Sequence, residues 1–275
     1  MTAPTSYEQP DAAYASPIPV RRAHLGDALA SEWTKIRSVR STMWTLGVMI
    51  VLMVGIGSAI AAIVAASGVD TQGESALTLG FFGVLLGSIC VITLGVLTIA
   101  SEYGTGMIRT TLTACPSRAR VLTAKAIVFF VLVFTITTVT ATLVAALQTA
   151  LVDASPASGS DWLRATVGIG LFLALLGLLA LAVGAMIRHS AGAITIMIGL
   201  MLLPLVAAMF MFSESLAGLQ EALLEYSIPS EIIALYGESA TGTSGPSGWE
   251  PLLIMLGVTA VAMGGAYLTL HQRDV

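Results

Sequence analysis

SEYGTGMIRTTLTACPSRARVLTAK, residues Ser101 to Lys125, lies between two long apolar runs of the sequence. This stretch holds four of the 12 lysines and arginines and a single acid, Glu102. Gly104 and Gly106 disfavour a continuous helix, since glycine costs about 1 kcal/mol relative to alanine in a helix interior. The sequence therefore predicts a basic break between two apolar segments, and the rest of the chain is arranged around that break.

The composition is that of a chain whose solvent is a lipid bilayer. Of the 275 residues, 56% are hydrophobic and only 10% are charged, and the mean hydropathy is +0.90. Globular proteins carry roughly 25% charged residues, and a soluble core of this size cannot bury so much apolar surface. Cys90 and Cys115 lack metal-ligand spacing, and the three histidines form no cluster. We therefore expect no catalytic, cofactor-binding or metal-binding residues.

Six apolar runs are long enough to cross a bilayer, which takes about 20 residues of helix. None of them contains Asp, Glu, Lys or Arg, and they cover 44–66, 77–100, 126–152, 165–187, 191–212 and 251–270. Backbone polar groups in lipid must be satisfied within their own segment, so these runs are helices. The predicted fold is an all-α polytopic membrane protein with one six-span domain over residues 44–275.

The first 43 residues divide into two parts. Residues 1–20 contain four prolines and no apolar run, which predicts a disordered cytosolic tail. Over 21–43, Leu25, Leu29, Trp33 and Ile36 recur at helical spacing, and Lys35, Arg37 and Arg40 make the segment basic. A basic amphipathic helix of this kind lies in the membrane interface, although a soluble helix packed on a neighbour has the same pattern.

The positive charges indicate the orientation of the spans. All but one of the 12 lysines and arginines fall on one side of the predicted membrane, and the exception is Arg164. Acids dominate the loops on the opposite side, of which 213–250 is the longest. Because cytosolic loops are rich in Lys and Arg, we predict a plasma-membrane protein with both termini in the cytosol. Within the long outer loop, two short amphipathic helices are expected, the second capped by Ser230.

The basic break itself has the pattern of a short helix lying across the membrane plane. Met107, Ile108, Thr111 and Leu112 form one ridge, with Thr105 as its predicted cap. Glu102 ends the second span at the point where an acid first reaches water. An alternative role for the four cations is to bind anionic lipid headgroups.

Two patterns within the spans concern packing and a polar path. Gly170, Gly177 and Gly184 recur every seven residues, which favours close helix packing. Four threonines of the third span share a face and could line a translocation path: Thr135, Thr138, Thr142 and Thr149. Such hydroxyls also bond to their own helix or to a neighbouring one, so both interpretations stay open.

Two motifs and the overall plan resemble a known family. SEWTKIRSVRSTMWTL (Ser31–Leu46) leads into the first span, and SEYGTGMIRTTLTACPSRARVLTAKAI (Ser101–Ile127) follows the second. With six spans, cytosolic ends and a long last outer loop, the chain resembles the permease subunits of ABC-2-type ABC transporters, in the compact six-span form common in actinobacteria. The resemblance covers nearly the whole chain.

This resemblance implies how the chain works. The segment before the first span would be an interfacial connecting helix, and a coupling helix after the second span would dock in a groove of a separate ATPase. The positions expected at that contact are Glu102, Thr105, Ile108, Arg109 and Leu112. Two ATPase copies, which bind ATP and Mg, would work with two permease chains, identical or related, to export a substrate.

The chain has no nucleotide site of the P-loop type, which needs Gly-Lys followed by Ser or Thr. Its only lysines, Lys35 and Lys125, follow Thr34 and Ala124. We therefore expect a permease subunit that is not itself an enzyme, with ATP hydrolysis on the partner chain and no nucleic-acid partner. The alternatives are an ion-coupled secondary transporter, which usually has ionisable residues within its spans, a membrane enzyme, and a non-transporting anchor or sensor subunit.

Overall fold

The computed structural model describes residues 24–68, 75–115, 117–237 and 245–272. Every regular element within these ranges is a helix. In chain order they are α1 (Leu25–Ser38), α2 (Arg40–Ser67), a 3₁₀ turn (Ala76–Gly80), α3 (Phe81–Gly104), α4 (Met107–Ala114), α5 (Arg118–Leu151), α6 (Gly159–Leu163), a π-helical segment (Arg164–Gly168), α7 (Ile169–Ile187), α8 (Ser190–Met209), a second 3₁₀ turn (Glu214–Leu216), α9 (Ala217–Glu225), α10 (Ile228–Leu235) and α11 (Glu250–Gln272).

Six of these helices, alone or with the turn that continues them, are long and apolar enough to cross a membrane. They contain α2, α3, α5, α7, α8 and α11, which confirms the predicted six-span, all-α membrane fold. The helix predicted over 21–43 is shorter than expected. It ends at Ser38, because Val39 has extended backbone (φ −85°, ψ 111°), and α2 begins at Arg40. The predicted tail, 1–20, and residues 21–23 lie outside the described residues.

Helix α7 forms the centre of the bundle and packs against α3, α5 and α11. In the most apolar part of its span, 78% of the residues are buried, against 22% for α2 and α8 and 17% for α11. The peripheral helices therefore present apolar faces to whatever surrounds the chain.

The predicted glycine stripe on α7 is confirmed as a packing feature. A Cβ atom on Gly177 would lie 2.5 Å from Cε1 of Phe129 on α5 and 2.9 Å from Cγ1 of Val91 on α3. At Gly170 the same atom would lie 2.0 Å from Oγ1 of Thr138. Only glycine lets the three helix backbones approach this closely.

The two ends of the bundle are built differently. We call one the basic end: it comprises α1, α4, the starts of α2 and α5, and the ends of α3 and α11. There, Nη1 of Arg118 donates a 2.8 Å hydrogen bond to the carbonyl of Leu270, which ties α5 to α11. We call the other the capped end, because α9 and α10 pack there against α7, α8 and α11.

The capped end confirms the two short helices predicted for the long loop, but the predicted cap is one turn too late. The Ser227 hydroxyl, not that of Ser230, accepts the capping bond, from the Ser230 amide at 3.3 Å. Ile232 and Leu235 of α10 are fully buried, so this helix is an integral part of the fold.

Candidate functional site

Four charged side chains meet at the basic end and form a largely buried ion-pair network, which consists of Glu32, Lys35, Glu102 and Lys125. Nζ of Lys125 lies 2.7 Å from Oε2 of Glu32 and 2.6 Å from Oε1 of Glu102. Nζ of Lys35 lies 2.8 Å from Oε1 of Glu32 and 2.9 Å from the same Glu102 oxygen. Each lysine thus bridges both carboxylates, and the network joins α1, α3 and α5.

Most of the network is buried, and it is electrically balanced. Lys125 is 1% exposed, Glu32 4% and Glu102 6%, whereas the side chain of Lys35 is 27% exposed. Two lysines offset two glutamates, which matters because removing one partner of a buried pair leaves a charge whose desolvation is not compensated. Lys125 also donates to the carbonyl of Thr98 at 3.3 Å. The network is therefore expected to hold its three helices in a fixed arrangement.

The network also reaches the short helix α4. Nζ of Lys35 donates to Oγ1 of Thr111 at 3.3 Å, so its three hydrogens reach α1, α3 and α4. Helix α4 begins after Gly106, whose φ of 72° is in the left-handed region that glycine adopts without strain. Thr105 does not cap α4: the N-cap residue is Gly106, no side chain makes a capping bond there, and the Thr105 hydroxyl donates to the Ser101 carbonyl at 2.8 Å.

The charges of the two acids also act on Lys35. Burial alone would lower the pKa of this lysine, but its hydrogen bonds and charge interactions with Glu32 and Glu102 outweigh that effect. The net pKa of Lys35 is raised above 10.5. Lys35 therefore stays protonated at neutral pH and keeps its bridging role.

The face of α1 that packs inward is only partly the one the apolar pattern indicated. Ile36 of that face is buried, but Leu25 and Trp33 are exposed, and Glu32 is buried instead. The guanidinium of Arg37 lies 5.9 Å from the ring centre of Trp33, which keeps both on the outward side. Helix α1 therefore packs on the bundle through a mixed face of apolar and charged residues, and it presents to its surroundings the aromatic and basic residues that suit a membrane surface.

The five residues expected at an ATPase contact are close in sequence but differ in exposure. Thr105 and Arg109 are exposed, and Leu112 is half-buried. Ile108 is only 4% exposed. Glu102 does not reach water as expected, because α1 folds over it and both lysines bind it. On α4, the exposed surface consists of Met107, Arg109, Thr110, Thr113 and Ala114.

Three of the four threonines of the predicted path lie on the outward side of α5. Thr135, Thr142 and Thr149 are exposed, and their hydroxyls donate to carbonyls of α5 itself. Thr138 is half-buried beside Gly170, and its hydroxyl has no hydrogen-bond partner in the described part of the chain. Their role in a path stays a prediction.

Two cavities flank the ion-pair network. The first has a volume of about 360 Å³ and lies between α1, α2 and α3, where Lys35, Glu102 and Lys125 line it. The second, about 320 Å³, lies between α1 and α4 and shares Glu32 and Lys35. Among the described residues, no group of three or more His, Cys, Asp or Glu side chains could hold a metal ion. The chemistry of this site is therefore that of ion pairs and hydrogen bonds.

Sequence reasoning missed Glu32 and did not anticipate the burial of Glu102 and Lys125. One local signal was available: Glu32 and Lys35 are one turn apart on α1, at the spacing of an intrahelical ion pair. No local pattern shows that Lys35 meets Glu102, 67 positions further along the chain, or that Glu32 meets Lys125, 93 positions further along.

Comparison with known protein families gives an independent identification. Residues 28–203 match a family model described as ABC-2 family transporter protein. No curated protein matches the chain with statistical significance. The matched region begins within α1 and ends within α8, so it contains the whole ion-pair network and α4. Because it covers well over half of the sequence, the chain belongs to the ABC-2 family of membrane transporter proteins.

Proposed function

We propose that this chain is the permease subunit of an ATP-driven exporter in the plasma membrane, with the basic end in the cytosol. A separate ATPase would dock on the exposed surface of α4. The charge asymmetry supports this orientation, since all but one of the lysines and arginines belong to the predicted cytosolic side. Two permease chains, identical or related, would form the path, and two ATPase chains, which bind ATP and Mg, would drive it.

The observation that carries this proposal is the ion-pair network. A force applied to α4 would pass through Thr111 and Lys35 to Glu32 on α1 and to Glu102 on α3. Lys125 extends the same connection to α5. A docked ATPase would therefore move the spans on both sides of α4 together with the interfacial helix. ATP binding would act as the ligand that shifts the permease between conformations.

In this proposal, only some of the residues that the resemblance suggested can form the docking surface, because the others are buried. Thr105 and Arg109 are exposed and available to a partner. Glu102 and Ile108 are buried within the chain and would support α4 from behind. An acid at position 108 would disrupt this packing, so it is not a clean test of docking.

The direct test is charge reversal at Arg109, measured with an ABC ATPase that co-purifies with the wild-type chain. Arg109→Glu should reduce co-purification of the ATPase and its stimulated ATP hydrolysis by at least tenfold. Arg109→Lys keeps the charge and should retain most of both, and the thermal unfolding of both variants should match that of the wild type. If Arg109→Glu binds and stimulates the ATPase normally, α4 is not the docking surface. Substrate transport that continues without any ATPase would favour an ion-coupled transporter.

A further inference from the structure

The 360 Å³ cavity beside the ion-pair network has the properties of a ligand site. Its volume falls within the range of about 300–1,000 Å³ that is usual for small-molecule pockets. Glu32, Ile36 and Lys125 form buried parts of its wall, whereas Ser38, Val39 and Ser41 are exposed. The cavity is therefore open to the surroundings at the junction of the amphipathic helix α1 with the spans, and we expect lipid headgroups at this level.

The polar part of the wall mainly accepts hydrogen bonds. Several of its hydroxyls donate their single hydrogen to a backbone carbonyl in the preceding turn and keep only lone pairs for a ligand: Ser38, Thr45, Thr98, Ser101 and Thr105. All three hydrogens of Lys35 are used within the protein, by Glu32, Glu102 and Thr111. A matching ligand must therefore be rich in hydrogen-bond donors.

One acceptor of the network lacks a partner. Oε2 of Glu102 is buried and receives no hydrogen bond, although Oε1 of the same carboxylate binds both lysines. Leaving a buried polar atom unsatisfied costs about 1–3 kcal/mol, and more for a charged group. A cationic donor near Glu102 would offset this cost, and it would add positive charge to a network that is otherwise balanced.

The remainder of the wall suits an amphiphile. Val39, Leu94, Leu97 and Met107 supply apolar surface next to the polar groups. Ser41 and Thr42 line the cavity at the start of α2. Their hydroxyls make no hydrogen bond to any residue of the described part of the chain. These hydroxyls can donate to a phosphate, which the acceptor-rich interior cannot.

From these features we propose that the cavity binds a membrane phospholipid whose headgroup carries a primary ammonium, with the ammonium toward Glu102 and the phosphate toward Ser41 and Thr42. Phosphatidylethanolamine has this chemistry. Phosphatidylcholine has the same net charge, but its quaternary ammonium has no N–H to donate. The bound lipid would fill the junction between α1 and the spans. This site does not depend on ATPase docking, so it is tested on the permease alone.

The experiment is native mass spectrometry of the full-length chain, purified in detergent with an equimolar mixture of the two lipids bearing identical acyl chains. We expect phosphatidylethanolamine to be retained at least fivefold more than phosphatidylcholine. Thr98→Val, which removes one acceptor but keeps the side-chain shape, should reduce this preference, whereas Thr42→Val should weaken the retention of both lipids alike. Thr93→Val is the matched control: it removes a hydroxyl of α3 that also bonds its own helix but lies outside the cavity. It should leave the preference intact.

Two further arms complete the test. Glu102→Gln should weaken retention of phosphatidylethanolamine, and a thermal-unfolding scan of this variant shows whether it is folded during the measurement. Soluble phosphoethanolamine should not displace the lipid. Equal retention of the two lipids by the wild type, or an unchanged preference in the Thr98→Val variant, would overturn the proposal. Displacement by phosphoethanolamine would also overturn it, because the ligand would then be a free amine phosphate and not a lipid.

Discussion

The basic end and the capped end of the bundle both bury carboxylates, but only those at the basic end have lysine partners in the described part of the chain. At the basic end, Glu32 and Glu102 are each bound by two lysines. At the capped end, Glu231 on α10 is 3% exposed, and no ion pair to it occurs among the described residues. Burial raises the pKa of Glu231 from 4.5 to about 8, so this side chain is mostly protonated at neutral pH.

The comparison suggests a division of roles. Paired charges define an arrangement strongly, because separating them leaves buried ions without partners. The basic end is therefore a stiff connection between four helices. The capped end is held mainly by apolar packing of α10 around residues such as Ile232 and Leu235, and its stability depends on pH. Three substitutions and one functional measurement separate these behaviours.

The largest effect is expected for Lys125→Met. This change leaves Glu32 and Glu102 buried with only Lys35 to offset them, and removing one partner of a buried pair costs about 3–5 kcal/mol. The melting temperature in detergent should fall by several degrees or more. Adding Glu102→Gln to this variant should recover part of the loss, because one uncompensated charge is then removed. A melting temperature equal to that of the wild type would show that the network does not stabilise the basic end.

A pH-dependent effect of opposite sign is expected at the capped end. Between pH 4.5 and about 8, the folded state keeps a proton on Glu231 that the unfolded state has lost. Stability should therefore decrease as pH rises through this range and then level off. Glu231→Gln should remove that decrease, so that the variant is more stable than the wild type at pH 9 and similar to it at pH 4.

Thermal unfolding across the pH range measures this difference. Each unit of pKa shift corresponds to about 1.4 kcal/mol, so the gain at pH 9 should be readily measurable. Glu214→Gln, at an exposed position of the same loop, is the control and should leave the pH dependence unchanged. A wild type whose stability does not change between pH 5 and pH 8 would contradict the buried, neutral state of Glu231.

The smallest effect is expected for Thr111→Val. It removes the 3.3 Å bond that Lys35 donates to α4 but keeps the shape of the side chain. A single hydrogen bond contributes about 0.5–1.5 kcal/mol, and somewhat more when one group is charged. The melting temperature should fall only slightly, whereas Thr113→Val, at an exposed position of α4, should have no effect. A fall in melting temperature as large as that of Lys125→Met would show that the contacts of α4, and not the ion pairs, contribute most of the stability of the basic end.

The sequence predicted the fold far better than the site. The spans can be predicted because each is a long run without charges. The break at Gly104–Gly106 can be predicted because glycine interrupts helices. The site depends on α1 folding back over α3 and α5, which no local pattern encodes. Glu32 belongs to a polar face that would normally face water, and Glu102 and Lys125 lie at span ends where water is expected. Their burial is a consequence of tertiary contacts.

The central claim is that the ion-pair network transmits force from α4 to the spans, and Lys35→Met tests it most directly. Lys35 contacts α1, α3 and α4 at once but is not on the exposed surface of α4 that includes Arg109. In lipid, with an ABC ATPase that co-purifies with the wild type, Lys35→Met should bind that ATPase as well as the wild type does, but it should lose most of the stimulation of ATP hydrolysis. Lys35→Arg should retain it. Full stimulation by Lys35→Met, with normal binding, would contradict the account.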